Sequence, residues 1–282
     1  MAGFELGLSP AAEPAPSAHH SPRADRIIPL RGPWRRIQRY RELVSTQKEA
    51  RHLIQQGGFP DGVVLWADRQ TGGVGRYGRP WASPEGGLYL TAILPLEPPP
   101  PAERGWISLT AALAGVDILD SIAGIRPMIK WPNDLIMDRG KLGGILTEVV
   151  DRYVLVGFGL NWAGQYPPPE ENEAFEPVTV ARYDPELTED DKQAFVEWWL
   201  HRFLLRYEAL LSDPVRVGVS LARRIEPVLY GRGERICIEG TPHGDIEGRL
   251  LGLGPGASAR IHRDDGSEVT CPSGRARFPW QA

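Results

Sequence analysis

Residues 130–149 read KWPNDLIMDRGKLGGILTEV. The run that enters this stretch, 128–131, has the apolar and aromatic character of a strand. Pro132 ends it, because proline has no N–H to give to a ladder. Asn133 and Asp134 are left at the strand end or in the following turn, where such pairs often serve only as turn residues. Seven residues after Asp134, Lys141 heads a second apolar run beside Gly143 and Gly144. A lysine entering a buried strand is costly unless its charge has a partner. A ligand carboxylate or phosphate would be one, and Asn133, Asp134 and Lys141 together could hold a metal-bound nucleotide.

Working outward, further strand-like runs are 63–66, 88–94, 144–150 and 153–160, and the last two flank Asp151-Arg152 as a hairpin would. Helical spacing of apolar residues occurs at Trp106, Leu109, Leu113, Val116 and Leu119, and at Phe195, Trp198, Trp199, Phe203 and Tyr207, each set giving one apolar face. Strands and helices mix over 34–225 without a βαβα rhythm, so this segment reads as an α+β domain. Over 226–282, short strand candidates (235–238, 246–251, 259–262, 268–271) alternate with Gly-rich turns, including Asp265-Gly266, and predict a small all-β barrel. Residues 1–33, rich in Ala, Pro and Ser, predict a disordered tail, and His19 and His20 have no third metal ligand nearby.

Composition excludes several function classes. The 282 residues are 24% charged and 41% hydrophobic, as in ordinary globular proteins, and 36 acidic against 32 basic residues give a formal charge of −4. Such a balance gives no general attraction to DNA or to a membrane surface. No run approaches the roughly 18 apolar residues of a membrane span. Cys237 and Cys271 form no metal-ligand spacing and no disulfide framework, which suits two plain buried residues in the cytoplasm. The 32 glycines and 27 prolines predict many loops and few long helices.

Gly73-Val74-Gly75-Arg76-Tyr77-Gly78 matches the letters of a dinucleotide-binding fingerprint, but Arg79-Pro80-Trp81-Ala82-Ser83-Pro84 follows in place of a helix, so that reading fails. Physically, the segment is a flexible loop whose glycines let backbone N–H groups approach an anion. Arg76 and Arg79 offer planar forks for carboxylate or phosphate, and Trp81 offers a face for a purine.

With these residues in view, the chain resembles the biotin protein ligase family (biotin–[acetyl-CoA-carboxylase] ligases), in the form without an N-terminal DNA-binding domain. The likeness lies in 72–94 (GGVGRYGRPWASPEGGLYLTAIL), 130–149 and 154–162 (VLVGFGLNW), with Ser45-Thr46-Gln47 resembling a Ser-Thr-Asn element at a helix start. It implies a class II synthetase-like, biotin-lipoate ligase fold carrying an SH3-like barrel. It also implies a two-step reaction: biotin and ATP form biotinyl-5′-AMP, and a lysine of a biotin carboxyl carrier domain, such as that of acetyl-CoA carboxylase, then takes the biotin. By position, Ser45, Thr46, Gln47, Gln70, Gly73, Val74, Gly75, Arg76, Lys141, Gly144 and Gly157 would serve biotin, with Arg76 and Lys141 as the catalytic cations. Arg79, Trp81, Asn133, Asp134, Lys141 and Asn161 would serve the nucleotide, and Asp134 would hold Mg²⁺. A homodimer is compatible with the resemblance.

Two positions depart from the family pattern. Val74 replaces a basic residue of the glycine loop, and Gln47 replaces an asparagine. Residues before 34 are too few and too Pro-rich for a helix-turn-helix. A lid that orders on ligand binding would protect an acyl phosphate from water, so residues 72–79 are expected to be disordered without ligand. The alternatives are a lipoate or octanoyl ligase, a non-catalytic biotin sensor suggested by Val74, and, last, a DNA-binding regulator.

Overall fold

The computed structural model of the protein describes residues 21–30, 34–57, 62–94, 96–168, 175–241 and 244–279. In chain order, β1 (Arg26–Pro29) and β2 (Arg36–Leu43) precede α1 (Thr46–Gln55), and β3 (Val63–Gln70) and β4 (Leu88–Leu94) precede α2 (Gly105–Ala123). Then come β5 (Met128–Lys130), β6 (Asp134–Met137), β7 (Gly140–Val150), β8 (Tyr153–Leu160), α3 (Glu189–Ser212) and α4 (Pro214–Ile225). The strands form one sheet in the order β1-β2-β3-β4-β8-β7-β6-β5, with β2 and β3 parallel and the remaining pairs antiparallel. Such a mixed sheet with helices is the expected α+β class, and the β7–β8 hairpin turns at Asp151, as its strand runs predicted.

Strand side chains alternate between faces, so the register assigns each residue a side. Phe158 and its cross-strand partners Leu90 and Ile145 face the main core, under α2 and α3. Thr91, Gly157 and Leu146 share the opposite face, on which α1 packs. Along α3, Phe195, Trp199, Phe203 and Tyr207 recur every four residues and are wholly buried, with Trp199 stacked on Phe203 at 5.5 Å between centroids and Tyr207 tilted against Phe203 at 5.8 Å. Each fully buried phenylalanine stabilises by about 2 kcal/mol. Trp198, expected on the same apolar face, is 60% exposed. Adjacent residues on a helix lie about 100° apart, and Trp199 takes the inward direction.

Helix α2, although interrupted by Asp117 and Asp120, comes nearest to a membrane span among the described residues. The segment Pro101–Ala123 is long and apolar enough to cross a membrane, yet 67% of its most apolar stretch is buried inside the protein, under the sheet and α3. At its C-terminal half, Asp117 holds Arg206, Arg202 and Arg224, tying α2 to α3 and α4.

The C-terminal sheet comprises β9 (Arg235–Glu239), β10 (Ile246–Leu253), β11 (Ala259–His262), β12 (Glu268–Cys271) and β13 (Arg275–Arg277) in the antiparallel order β12-β11-β10-β9-β13. It is the small all-β barrel that the Gly-rich turns implied, of the SH3-like type that the resemblance implied, and Gly266 takes the left-handed conformation (φ +84) that the predicted Asp265-Gly266 turn needs. Trp131 Nε1 donates to Ala257 O at 2.8 Å and Tyr230 N donates to Ile129 O at 2.9 Å, so the barrel is docked beside β5. Cys271 is buried, whereas Cys237 is only half-buried, and both are free thiols.

The expected tail needs a correction. Residues 1–20, with His19 and His20, and 31–33 lie outside the described residues, but Arg26–Pro29 pairs with β2 as an edge strand. Ile28 supplies the buried apolar contact that composition alone did not credit to this segment.

Candidate active site

Two cross-strand rows on the α1 side of the sheet form the floor of a cavity. One row is Tyr89, Gly159, Gly144 and Asp134; the other, two residues along the strands, is Thr91, Gly157 and Leu146. The rows are roughly 7 Å apart. Glycine on both rows leaves room for the side chains above them. A Cβ at Gly159 would lie 2.6 Å from Trp81 Nε1, and one at Gly157 would lie 2.7 Å from Gln47 Oε1. The Trp81 ring lies over the first row and the Gln47 amide over the second.

The Gln47 end is neutral and polar. Ser45 caps α1, its hydroxyl accepting from Lys48 N, and this cap places Thr46 and Gln47 in the first turn, buried against the sheet. Gln70 Oε1 accepts from Thr46 N at 2.8 Å and from Thr46 Oγ1 at 3.2 Å, while Gln70 Nε2 donates to Ser83 Oγ at 2.8 Å. Thr91 completes this wall, its hydroxyl 2.9 Å from Thr46 Oγ1 and 3.2 Å from Gln47 Oε1.

The Trp81 end is charged. Lys141 Nζ stands 3.3 Å from Asp134 Oδ1 and 5.0 Å from the Trp81 ring centre, and Lys130 Nζ stands 3.9 Å from Asp134 Oδ2. Arg76 and Arg275 line the same cavity. Burial raises the Asp134 pKa, but Lys141 and Lys130 outweigh it and hold the carboxyl below its usual range. Burial pushes the Lys130 ammonium down to about 8; Lys141, Arg275 and Arg76 push the same way and Asp134 opposes them. Among the described residues, five cations (Arg76, Arg79, Lys130, Lys141 and Arg275) against the Asp134 carboxylate are an arrangement for binding a multiply charged anion.

The glycine loop, residues 72–79, is held together by its own backbone hydrogen bonds. Trp81 N donates to Gly73 O at 3.0 Å and Gly75 N to Arg79 O at 2.8 Å, while Tyr77 and Gly78 both take positive φ, so the loop turns back on itself. Arg76 anchors it, donating to Asn133 Oδ1 at 3.4 Å, to Gly274 O of the barrel at 3.3 Å and to Tyr77 Oη at 3.0 Å. The loop therefore roofs the cavity.

Of the residues singled out in the sequence, Ser45, Thr46, Gln47, Gln70, Val74, Gly75, Arg76, Arg79, Trp81, Asn133, Asp134, Lys141, Gly144 and Gly157 meet in this cavity. Gly73 and Asn161 do not; they line an adjoining cleft that shares Gln70, Arg79, Trp81 and Lys141 with it. Two asparagine amides are committed to backbone, Asn133 Nδ2 to Ile145 O and Asn161 Nδ2 to Lys141 O. Lys130, Thr91, Tyr89 and Arg275 were missed. Lys130 stood in the quoted motif, where its buried charge was a readable signal, whereas Arg275 arrives only through the docking of the barrel. No three His, Cys, Asp or Glu side chains among the described residues converge as metal ligands, and Asp134 is already held between two ammonium groups.

The chain is similar to known proteins. Residues 41–162 match the model of the biotin/lipoate A/B protein ligase family. The biotin–[acetyl-CoA-carboxylase] ligase of Mycobacterium tuberculosis is 36% identical over 141 residues, 49% of this chain and 53% of the relative. The bifunctional ligase/repressor BirA of Bacillus spizizenii is 36% identical over 132 residues, 43% of this chain and 39% of the relative. The matched stretch thus spans about half of the first curated relative and less of the second. A solved structure, the biotin protein ligase from Aquifex aeolicus in complex with biotin and ATP, superposes with a TM-score of 0.71 at 26% identity, covering 86% of this chain and 97% of that one. Residues 41–162 thus carry a biotin/lipoate A/B protein ligase family domain, and over 86% of its length the chain shares the fold of a biotin protein ligase.

Proposed function

We propose that the chain is a biotin protein ligase, which joins biotin to ATP as biotinyl-5′-AMP with release of pyrophosphate and passes the biotinyl group to a lysine of a biotin carboxyl carrier domain, such as that of acetyl-CoA carboxylase. The observation that carries this reading is a single cavity with a neutral hydrogen-bonding end and a cationic end, two residues apart along the same strands. Ser45, Thr46, Gln47, Gln70 and Thr91 would meet the cyclic urea of biotin, with Gly157 beneath it. A dithiolane ring has no groups to satisfy this wall, which favours biotin over lipoate.

In the first step a biotin carboxylate oxygen attacks the α-phosphorus and the bond to the β-phosphate oxygen breaks. Attack of one anion on another is opposed by repulsion, which Arg76 and Lys141, with Lys130 and Arg275 nearby, would offset. Arg79, Trp81, Asn133 and Asp134, with Gly73 and Asn161 in the adjoining cleft, would serve the nucleotide side. Magnesium would enter with the nucleotide, as part of a Mg-ATP substrate. In the second step the carrier amine attacks the acyl carbon, AMP leaves, and the amine gives up a proton. No side-chain nucleophile is needed. The two free thiols suit action in the cytoplasm.

Incubation with biotin, Mg-ATP and an apo carrier domain should add one biotinyl group to the carrier, read by mass spectrometry. No gain, while a control ligase labels the same carrier, would overturn the enzyme reading. Biotin binding without pyrophosphate exchange would indicate a sensor, and labelling by lipoate alone would indicate a lipoyl ligase.

The cationic end also predicts a pH dependence. Lys130 is charged in the unfolded chain up to its ordinary value of 10.5 but loses its proton in the fold near about 8. Between these values the unfolded state binds the extra proton, so this group adds stability as pH rises from about 8 towards 10.5. Over the same window the site loses a positive charge. Pyrophosphate binding, followed by calorimetry, should weaken by roughly tenfold as pH passes from 7 to 9.5, and Lys130→Met should flatten the profile. An equal slope in wild type and variant would exclude Lys130 as its source.

A further inference from the structure

The hydrogen-bonding wall has a fixed direction, and its direction is set outside the cavity. Glu148, on β7, accepts from Gln47 Nε2 at 3.2 Å through one carboxylate oxygen and from Arg51, on α1, through the other. A guanidinium only donates, and a carboxylate paired with one only accepts. The Gln47 amide must therefore turn its NH₂ to Glu148 and its oxygen towards Thr91 and the cavity. Thr91 has a single hydroxyl proton and two acceptors within reach, Thr46 Oγ1 at 2.9 Å and Gln47 Oε1 at 3.2 Å. Thr46 gives its own proton to Gln70 Oε1, so its oxygen is open to the Thr91 proton at the shorter distance. Gln47 Oε1 then faces the cavity as an acceptor awaiting a donor.

We infer that Glu148, clamped by Arg51, is a positioning residue that locks the Gln47 carboxamide oxygen-inward and so makes this end of the pocket read an N–H donor. The inference rests on the proposed biotin ligase reading, in which that donor is a ureido N–H. The reach across from α1 to β7 depends on the longer glutamine side chain, and on Gly157, where a Cβ would come 2.7 Å from Gln47 Oε1. Without the carboxylate the amide can rotate, offering NH₂ to the ligand half of the time and leaving its N–H groups repelling.

The test compares wild type, Glu148→Ala, Glu148→Lys and Arg51→Met by steady-state kinetics with biotin and ATP varied separately. Both Glu148 variants should raise the KM for biotin by roughly 10- to 100-fold, the loss of one oriented buried hydrogen bond, and Arg51→Met by about threefold. The KM for ATP and the melting temperature should stay near the wild-type values. A merely structural role would move both KM values together with stability, and that result, or an unchanged biotin KM, would overturn the inference. If Glu148→Ala fails to fold, Arg51→Met alone decides it through the same split. Wild type that binds no biotin would remove the ligase reading and this inference with it, whereas wild type that binds biotin no better than the Glu148 variants removes only the inference.

Discussion

Lys141→Ala is expected to slow adenylate formation by about 10²- to 10³-fold, with the protein still folded and still binding biotin. Lys141 is the cation nearest Asp134, 3.3 Å from its carboxylate, and its Nζ lies on the Trp81 side of the floor, where a carboxylate and an α-phosphate would meet. An interaction that strengthens as charge gathers between two anions lowers the barrier more than it lowers the ground state, so kcat should fall further than KM rises. Pyrophosphate exchange measures the first step by itself. Lys141→Met is the better-packed control, since it keeps an aliphatic chain under Trp81 while removing the charge, and it should be nearly as slow. Exchange at the wild-type rate in either variant would remove Lys141 from the reaction.

Gly159→Val should cost roughly 10- to 100-fold in ATP affinity by unseating the tryptophan on which a base would stack. The new Cβ would begin 2.6 Å from Trp81 Nε1 and 2.7 Å from Cε2, a separation that no rotamer of the valine can relieve. Valine suits a central strand, so the sheet itself is expected to tolerate it. Gly144→Ala gives the graded comparison: its Cβ would stand 3.2 Å from Asp134 Oδ1 and 3.5 Å from the Trp81 ring, close enough to nudge the ring but not to expel it. Trp81→Ala should match Gly159→Val in the KM for ATP. An unchanged ATP KM in Gly159→Val would mean that the ring position serves packing only.

The parts legible in the sequence were those whose pattern is local. The run 153–160 and its partner strand flank a two-residue turn, and α2 and α3 show a periodicity that needs no knowledge of their surroundings. Strand β2 was not legible. Its sequence, RIQRYREL, buries Ile37, Tyr40 and Leu43, a spacing of three that does not resemble a strand, and Arg39 is held by partners elsewhere, Asp68 and Glu189. Its parallel pairing with β3 joins segments separated by a helix. The short β6 was hidden inside the motif that was read for chemistry. At the site, the motif residues converged because they lie on adjoining strands. Arg275 could not be foreseen, because its place depends on how a second sheet docks, and the commitment of Asn133 and Asn161 to backbone carbonyls is equally a property of the assembled fold.

Helix α2 has a consequence for how the protein is made. It ends at residue 123, whereas the helix that covers it begins at residue 189, so 66 further residues must be synthesised before its cover exists. At a ribosomal pace of roughly 5–20 residues per second, an apolar stretch with the length and composition of a membrane span is exposed for several seconds. The nascent chain therefore passes through a window in which this apolar helix is sheltered only by a partial sheet.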